Sequence, residues 1–411
     1  MKKSFPGIYL LAFFILTACS SDEEREGVVW NNIEKQLQSK FITAKDGDTI
    51  RLEEGFFAFS RSLILDSKKN ITIAGAGIDK TILSFKWQEE GAEGIRAANC
   101  AKITFQDFTI EDAKGDNIKV TDTDGITFRR VKAYWTGGAK ESNGAYGLYP
   151  VLCTDVLVEA CIAARASDAG IYVGQSDNVI IRNNLVYENV AGIESENSNN
   201  VEIYENTAKN NTGGILVFDL PGLTQYGSDI QVYKNDVISN NHVNFAPKGN
   251  IVGIVPPGTG IMLLATRKVE IFENTITNNR TVGTALVSYE LVNAMGNEEE
   301  DEAGSAANIN NNYKLDSLYN PYYSDIYIHD NVYRNKHWFP TMKSDFGKLF
   351  LFKFPFRTPD ILLDGFRPPH QEWNICISNQ EKTRFANLDA PGNFENIDKS
   401  IKNYSCNIPT L

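Results

Sequence analysis

The run VEIYENTAKNN at 201–211 is nearly copied by VEIFENTITNN at 269–279, and fainter versions extend in both directions. Aligned on the first inward residue of each alternating stretch, the starts fall at Ile71, Ile103, Ile126, Val156, Val179, Val201, Ile230, Val269 and Ile326. The tightest spacings are 23 and 22 residues. A unit of that length, built of three short β runs with polar corners, cannot bury its apolar face alone and must stack on its neighbours, which predicts a parallel β-helix. Leucine-rich repeats share the period but require a leucine framework that is absent here. Five residues after the start, the later units carry Asn184, Asn206, Asn235, Asn274 and Asn331, and a second polar corner carries Asn189, Asn211, Asn240 and Asn279. Asparagine tolerates the left-handed conformation of a sharp corner, and stacked amides can bond along a coil. The repeated Asn is therefore read as architecture, not catalysis.

A repeat of this kind makes the 411 residues a poor guide to domain number. A net charge of −12 with an isoelectric point near 5 lacks the basic footprint of a nucleic-acid-binding protein. The four histidines have no ligand spacing, so a zinc or copper centre is not expected. Asp122-Thr123-Asp124-Gly125 begins like a calcium loop but lacks the downstream Glu, leaving calcium a weak option and no other cofactor.

Upstream, FITAKDGDTIRLEEGFF and NITIAGAGIDKTIL resemble the opening of pectin-lyase-like right-handed β-helix proteins, with Ile33, Leu37 and Phe41 at helical spacing as an amphipathic cap. Taken with YGLYPV, ASDAGIYVGQSDNVIIRNN, NNTGGILVFDLPGL and PPGTGIM, the chain is similar to a bacterial family of parallel β-helix repeat lipoproteins over roughly 40–400. That resemblance implies an exported protein, often encoded beside a cytochrome-c-like one, which makes such an envelope protein a candidate partner. The N-terminus agrees with export. Lys2 and Lys3 precede the apolar run Ile8–Leu16, and Leu16-Thr17-Ala18-Cys19 resembles a lipobox, with Cys19 as the acylated residue. The following Ser20–Glu24 resembles the acidic export signal of surface lipoproteins and reads equally well as a solvated tether. The expected organisation is a signal peptide at 1–18, a tether at 19–27, an all-β, single-stranded right-handed parallel β-helix with a helical N-terminal cap at 28–335, and an irregular C-terminal cap at 336–411. An outer-membrane location, facing periplasm or cell surface, follows from the anchor.

Register sorts the cysteines. Cys100 and Cys153 precede starts two rungs apart, ~10 Å at ~4.8 Å per rung, too far for a bridge. Cys161 occupies an Asn-corner position, which leaves Cys376 and Cys406 as the expected disulfide.

Outward residues of a coil line up as columns. Three residues after each start stand Arg129, Glu159, Arg182, Tyr204, Tyr233, Phe272 and His329, read either as a stabilising ladder or as a sugar-binding strip. The third-strand column, Tyr149, Tyr172, Glu194, Leu216, Met262 and Leu286, is the preferred site, with Glu196 sharing the face of Glu194. A carboxylate pair ~6.6 Å apart along the strand falls within reach of acid–base chemistry on glycosides. Arg165 and Asp168 join it from the preceding corner, and Lys140, Glu141, Asn143 and Tyr146 from an insertion at 136–146; further insertions fall at 241–259 and 289–324, the last holding the acidic run Glu298–Glu302. The Gly-His-Gly and Asp-Asp of polygalacturonases and the Asp-Pro-His-Asp of alginate epimerases are absent. The leading expectation is polysaccharide binding; the alternative is a lyase, epimerase or hydrolase using Glu194, Glu196, Asp168 and Arg165.

Overall fold

A computed structural model describes residues 33–296, 313–369, 372–378 and 382–406. Among the described residues, 28 strands belong to one continuous winding whose ladder pairings are parallel. All nine starts are paired in the expected order, from Ile71↔Ile103 and Ile103↔Ile126 through Val156↔Val179↔Val201 to Ile230↔Val269↔Ile326. Valine and isoleucine at these positions alternate with outward residues, as in Asn199–Tyr204, so each rung contributes a short apolar stripe to a common lumen. Phe105 and Phe128 stack there 5.6 Å apart on successive rungs. Helix α1 (Ile33–Thr43) buries Leu37 and Phe41 over the first rung, covering strand edges that would otherwise be open. Among the described residues no helix is long and apolar enough to cross a membrane. Cys19, the signal and tether expected at 1–27, and Glu298–Glu302 lie outside the described residues.

The two Asn files are hydrogen-bonded ladders. Each side-chain amide nitrogen donates to the next Asn oxygen, at 2.9–3.0 Å from Asn184 through Asn331 and 2.9–3.2 Å from Asn189 through Asn279. Each also donates to a backbone carbonyl of the preceding rung, as Asn206 does to Ile181 at 2.9 Å. The left-handed conformation belongs not to these residues but to the ones before them: Asn183, Glu205, Lys234, Glu273 and Asp330 all have φ between 53° and 57°. Ladder Asn thus serves by bonding, and its predecessor by turning the chain. Cys161 ends the first file, its backbone N–H donating to Asn184 Oδ1 at 2.8 Å.

The segment expected as an irregular cap carries more of the coil. Ile361–Leu363 pairs with 284–286, Phe385–Asn387 pairs with it in turn, and Ile375–Ser378 extends the first-strand stack from Ile326. Cys376 and Cys406 form the disulfide, Cα atoms 5.5 Å apart, and Cys100, Cys153 and Cys161 are free and buried. Asp122–Gly125 lies within the strand Ile118–Tyr134, with left-handed backbone at Asp122 and Gly125.

Candidate functional site

The third-strand column forms as expected at its first five positions: Tyr149, Tyr172, Glu194, Leu216 and Met262 stand in register, with Lys119 on the rung before them. It slips at the next rung, where Met262 faces Ala285, while Leu286 pairs with Leu263 and points into the lumen. Thr284 is the inward residue before it, and its hydroxyl is satisfied at 2.8 Å by the Tyr333 phenol. The column does point away from the lumen, but it does not face solvent. Leu216, Met262 and Ala285 form a second apolar cluster with Val252 and Val255 of the 241–259 insertion, with Leu291 and Val292 of α2 (Tyr289–Gly296), and with Phe350 and Phe354 of the segment around α3 (Asp345–Lys353).

Next to this covered apolar half lies a compact polar one. Asp168, Glu194 and Glu196 are only 4%, 1% and 9% exposed. Tyr172 donates to Glu196 Oε1 at 2.8 Å, Tyr146 donates to Asp168 Oδ2 at 3.3 Å, and Asn250 of the insertion donates to the same oxygen at 3.1 Å. Tyr146, Tyr149 and Tyr172 pack with ring centres 4.3–4.8 Å apart, and Lys119 Nζ lies 4.8 Å over the Tyr149 ring. The Asp168 and Glu194 carboxyls adjoin in this cluster, where Asp168 Oδ1 and Glu194 Oε2 are buried without a hydrogen-bond partner. Burial pushes Glu194 well above the carboxylate range, with the charges of Asp168 and Glu196 adding to the effect. Burial likewise pushes Asp168 and Glu196 up to about 7. Gly174 makes room for this arrangement: a Cβ there would sit 2.2 Å from the Tyr172 hydroxyl. Gly174→Ala is expected to break the Tyr172–Glu196 bond and to cost ~2 kcal/mol, read as a lower thermal midpoint.

Arg165 is not part of the cluster. Its backbone is left-handed, with φ of 67°, and its guanidinium bonds Glu188 at 2.8 Å and the Trp135 carbonyl at 3.3 Å. Asn143 supports that corner by donating to the Arg165 carbonyl at 2.7 Å and, with Lys140, lines a separate cavity beside Asp112 and Trp135, while Glu141 is exposed. Sequence reading missed Asn250, which nothing in its local pattern marks, and Asp116, raised to about 6 chiefly by burial.

On the first-strand face, Glu159 accepts from Arg129 and, at 2.7 Å, from Arg182. Partial burial would raise this carboxyl, but the hydrogen bonds from the two arginines hold it below its usual range. The Tyr204, Tyr233, Phe272 and His329 rings continue the file, 4.8–5.1 Å apart and within 11° of parallel. Rings stacked on one another present edges outward, so this file stabilises the sheet and offers no row of open faces to a sugar.

Beside it runs an open furrow that the sequence columns did not single out. Leu157, Ile180, Glu202, Gln231, Glu270 and Tyr327, one residue after each start, stand in register along its floor. Its edge is a row of left-handed residues, Asp155, Asn178, Asn200, Asp229, Lys268 and Asp325, whose stacked bends shape the furrow. Two adjoining stretches enclose about 540 and 330 Å³. Glu270 links the floor to the aromatic file, accepting from Gln231 at 2.8 Å and lying 3.1 Å from His329 Nε2.

Residues 63–230 match the protein family described as right handed beta helix region. No curated protein matches the chain in sequence. Among solved structures, the mannuronan C-5 epimerase A-module of Azotobacter vinelandii is 13% identical, with 87% of this chain and 90% of that one covered and a TM-score of 0.46. A surface adhesin of Streptococcus pneumoniae is 12% identical over 87% and 86%, with a TM-score of 0.49. The α-1,3-glucanase catalytic unit of Streptomyces thermodiastaticus is 12% identical over 85% and 49%, with a TM-score of 0.48. The winding of strands described above, with the match over 63–230, gives the described residues a right-handed parallel β-helix fold.

Proposed function

We propose that the chain is an exported, lipid-anchored β-helix that binds a linear polysaccharide, and that the furrow on the first-strand face is its track. The observation that carries this reading is the recurrence of polar floor groups once per rung, at Glu202, Gln231 and Glu270, in an open channel parallel to the coil axis. A polymer laid along that axis meets hydrogen-bonding groups at ~4.8 Å intervals, and several weak contacts add through their common backbone. Aromatic stacking is not the means, because the neighbouring rings cover one another. Glu202, Glu270, Asp229 and Asp325 outnumber Lys268 in the lining, which favours a neutral or amino-bearing glycan over a polyuronate. Affinity electrophoresis against neutral, amino-bearing and uronate polysaccharides is expected to retard the chain on one of the first two. Glu202→Ala/Glu270→Ala is expected to weaken that retention about tenfold, taking ~1 kcal/mol or less for each lost hydrogen-bonding group. Equal retention of the double variant would rule the furrow out.

A second reading, a carbohydrate-active enzyme, is favoured by the buried acid cluster. Glu194, whose protonated form burial favours, beside Asp168 and Glu196, which burial pushes up to about 7, is the kind of pairing that acid–base chemistry at a glycosidic bond uses. The 241–259 insertion lies over these carboxyls through Asn250, so turnover would require that segment to move. New reducing ends or ultraviolet-absorbing products, lost in Glu194→Gln, support the enzyme; retention without products supports binding alone.

A further inference from the structure

The C-terminal segment leaves large apolar side chains in water. Phe352 is 83% exposed, Phe356 71%, Trp338 56%, Met342 49% and Phe339 46%. Elsewhere in the same segment apolar residues are covered: Phe350 and Phe354 pack on the coil, with Phe346 beside Phe350. Helix α3 therefore has two apolar sides, one docked and one, with Phe352 beside Lys348, turned outward. Trp338 and Arg357 tie the ends of the segment together, through a backbone bond of 2.9 Å and a guanidinium 5.7 Å from the indole centre. Between positions 336 and 357 stand Lys336, Lys343, Lys348, Lys353 and Arg357 against the single carboxylate Asp345, in a chain whose net charge is −12. The local charge sign is thus reversed where the aromatics are exposed. Lys336, Lys343 and Arg357 are themselves exposed around them.

Exposed aromatics among cations on an acidic protein match one environment, the headgroup layer of an anionic bilayer. Tryptophan and phenylalanine partition into the interfacial region, and lysine and arginine meet lipid phosphates. We propose that the 336–357 segment is a membrane-docking surface for anionic phospholipid, separate from any acyl anchor at the N-terminus and from the furrow. Such a contact would hold the coil against the membrane in one orientation.

The test uses the full chain with vesicles of brominated phosphatidylcholine and phosphatidylglycerol, compared with brominated phosphatidylcholine alone. Quenching assigned to Trp338, as the difference between the chain and its Trp338→Phe variant, is expected on the anionic vesicles only. Because an N-terminal anchor would bring every variant to the vesicle, this site-specific signal is the measurement that decides. Lys336→Gln/Lys343→Gln is expected to lower the partition constant for docking about 30-fold at low salt, the factor for two basic residues near an anionic surface. Phe352→Ser/Phe356→Ser is expected to abolish the Trp338 signal, with circular dichroism showing an unchanged fold since both side chains are exposed. Quenching that is equal on the two vesicle types, or unaltered in both double variants, overturns the proposal. So does a lipid-free dimer in sedimentation that Phe352→Ser/Phe356→Ser dissociates, which would make the patch an interface between two copies of the chain.

Discussion

Asn206→Ala is expected to lower stability by about 4 kcal/mol, a larger loss than truncating any exposed residue of the coil. Its Oδ1 accepts from both the backbone N–H and the side-chain Nδ2 of Asn184, at 3.0 and 2.9 Å, and its Nδ2 donates to the Ile181 carbonyl and to Asn235 Oδ1. Asn206 is 1% exposed and Asn184 2%, so water does not replace the lost partner. Each buried group left unsatisfied costs ~1–3 kcal/mol, and at least two are orphaned on neighbouring rungs. Since rungs contact only their neighbours, the damage concentrates there. Hydrogen exchange is expected to lose protection at 179–240 while α1 and the first rungs keep theirs. Asn200→Ala, which removes a 2.8 Å amide contact with Asn178 in an exposed row and leaves alanine at φ 52°, is expected to cost only ~1–2 kcal/mol, the left-handed backbone penalty. A thermal or denaturant series on both variants measures the contrast, and equal effects would mean the ladder is decorative.

The winding was legible because one period runs through it. Inward Val and Ile recur with the corner Asn at a fixed offset, and that pattern alone orders the nine starts and separates Cys376 and Cys406 from the buried thiols. What failed did so where the pattern is broken by a residue whose partner is distant. Thr284 reads as an outward polar residue, yet it faces the lumen because Tyr333 bonds its hydroxyl, and this moved Leu286 inward by one position. The cover over the third-strand face was not legible at all. It is assembled from Val252, Leu291 and Phe350, three segments spread across a hundred residues, none carrying the repeat. The sequence therefore presents Glu194 and Glu196 as an outward carboxylate pair with Arg165 among the site residues, whereas the fold buries the pair and gives Arg165 to Glu188. The disulfide segment was misjudged as irregular for a related reason: the strands at 361–363 and 375–378 are separated from their ladder partners by excursions longer than the repeat itself.

The buried carboxyls give the second large effect, a stability that falls as pH rises. In the unfolded chain Asp and Glu ionise at pH ~4, whereas folding raises Asp168 and Glu196 to about 7, Asp219 to about 8, and Glu194 well above its ordinary range, each chiefly through burial. The folded state then holds more protons than the unfolded one between these limits. Stability is fully present below pH ~4 and is lost progressively as pH climbs through the folded values, the opposite of a fold held by ionised salt bridges. Each tenfold gain in a carboxylate's affinity for its proton is worth ~1.4 kcal/mol, and neighbouring carboxyls release their protons as a set, so the individual contributions do not simply add. The loss between pH 5 and pH 8.5 is on the order of several kcal/mol. Glu194→Gln removes the ionisable proton, and it is expected to raise the thermal midpoint at pH 8.5 while leaving it nearly unchanged at pH 5. Asp168→Asn should flatten the same slope and, by weakening the contact with Asn250, speed exchange of the amides at 245–255. The decisive measurement is the midpoint against pH for the three chains. A midpoint that rises from pH 5 to pH 8.5, or a slope that Glu194→Gln leaves intact, would show that these carboxyls are ionised in the folded protein, and with them would go the proton donor on which the enzyme reading depends.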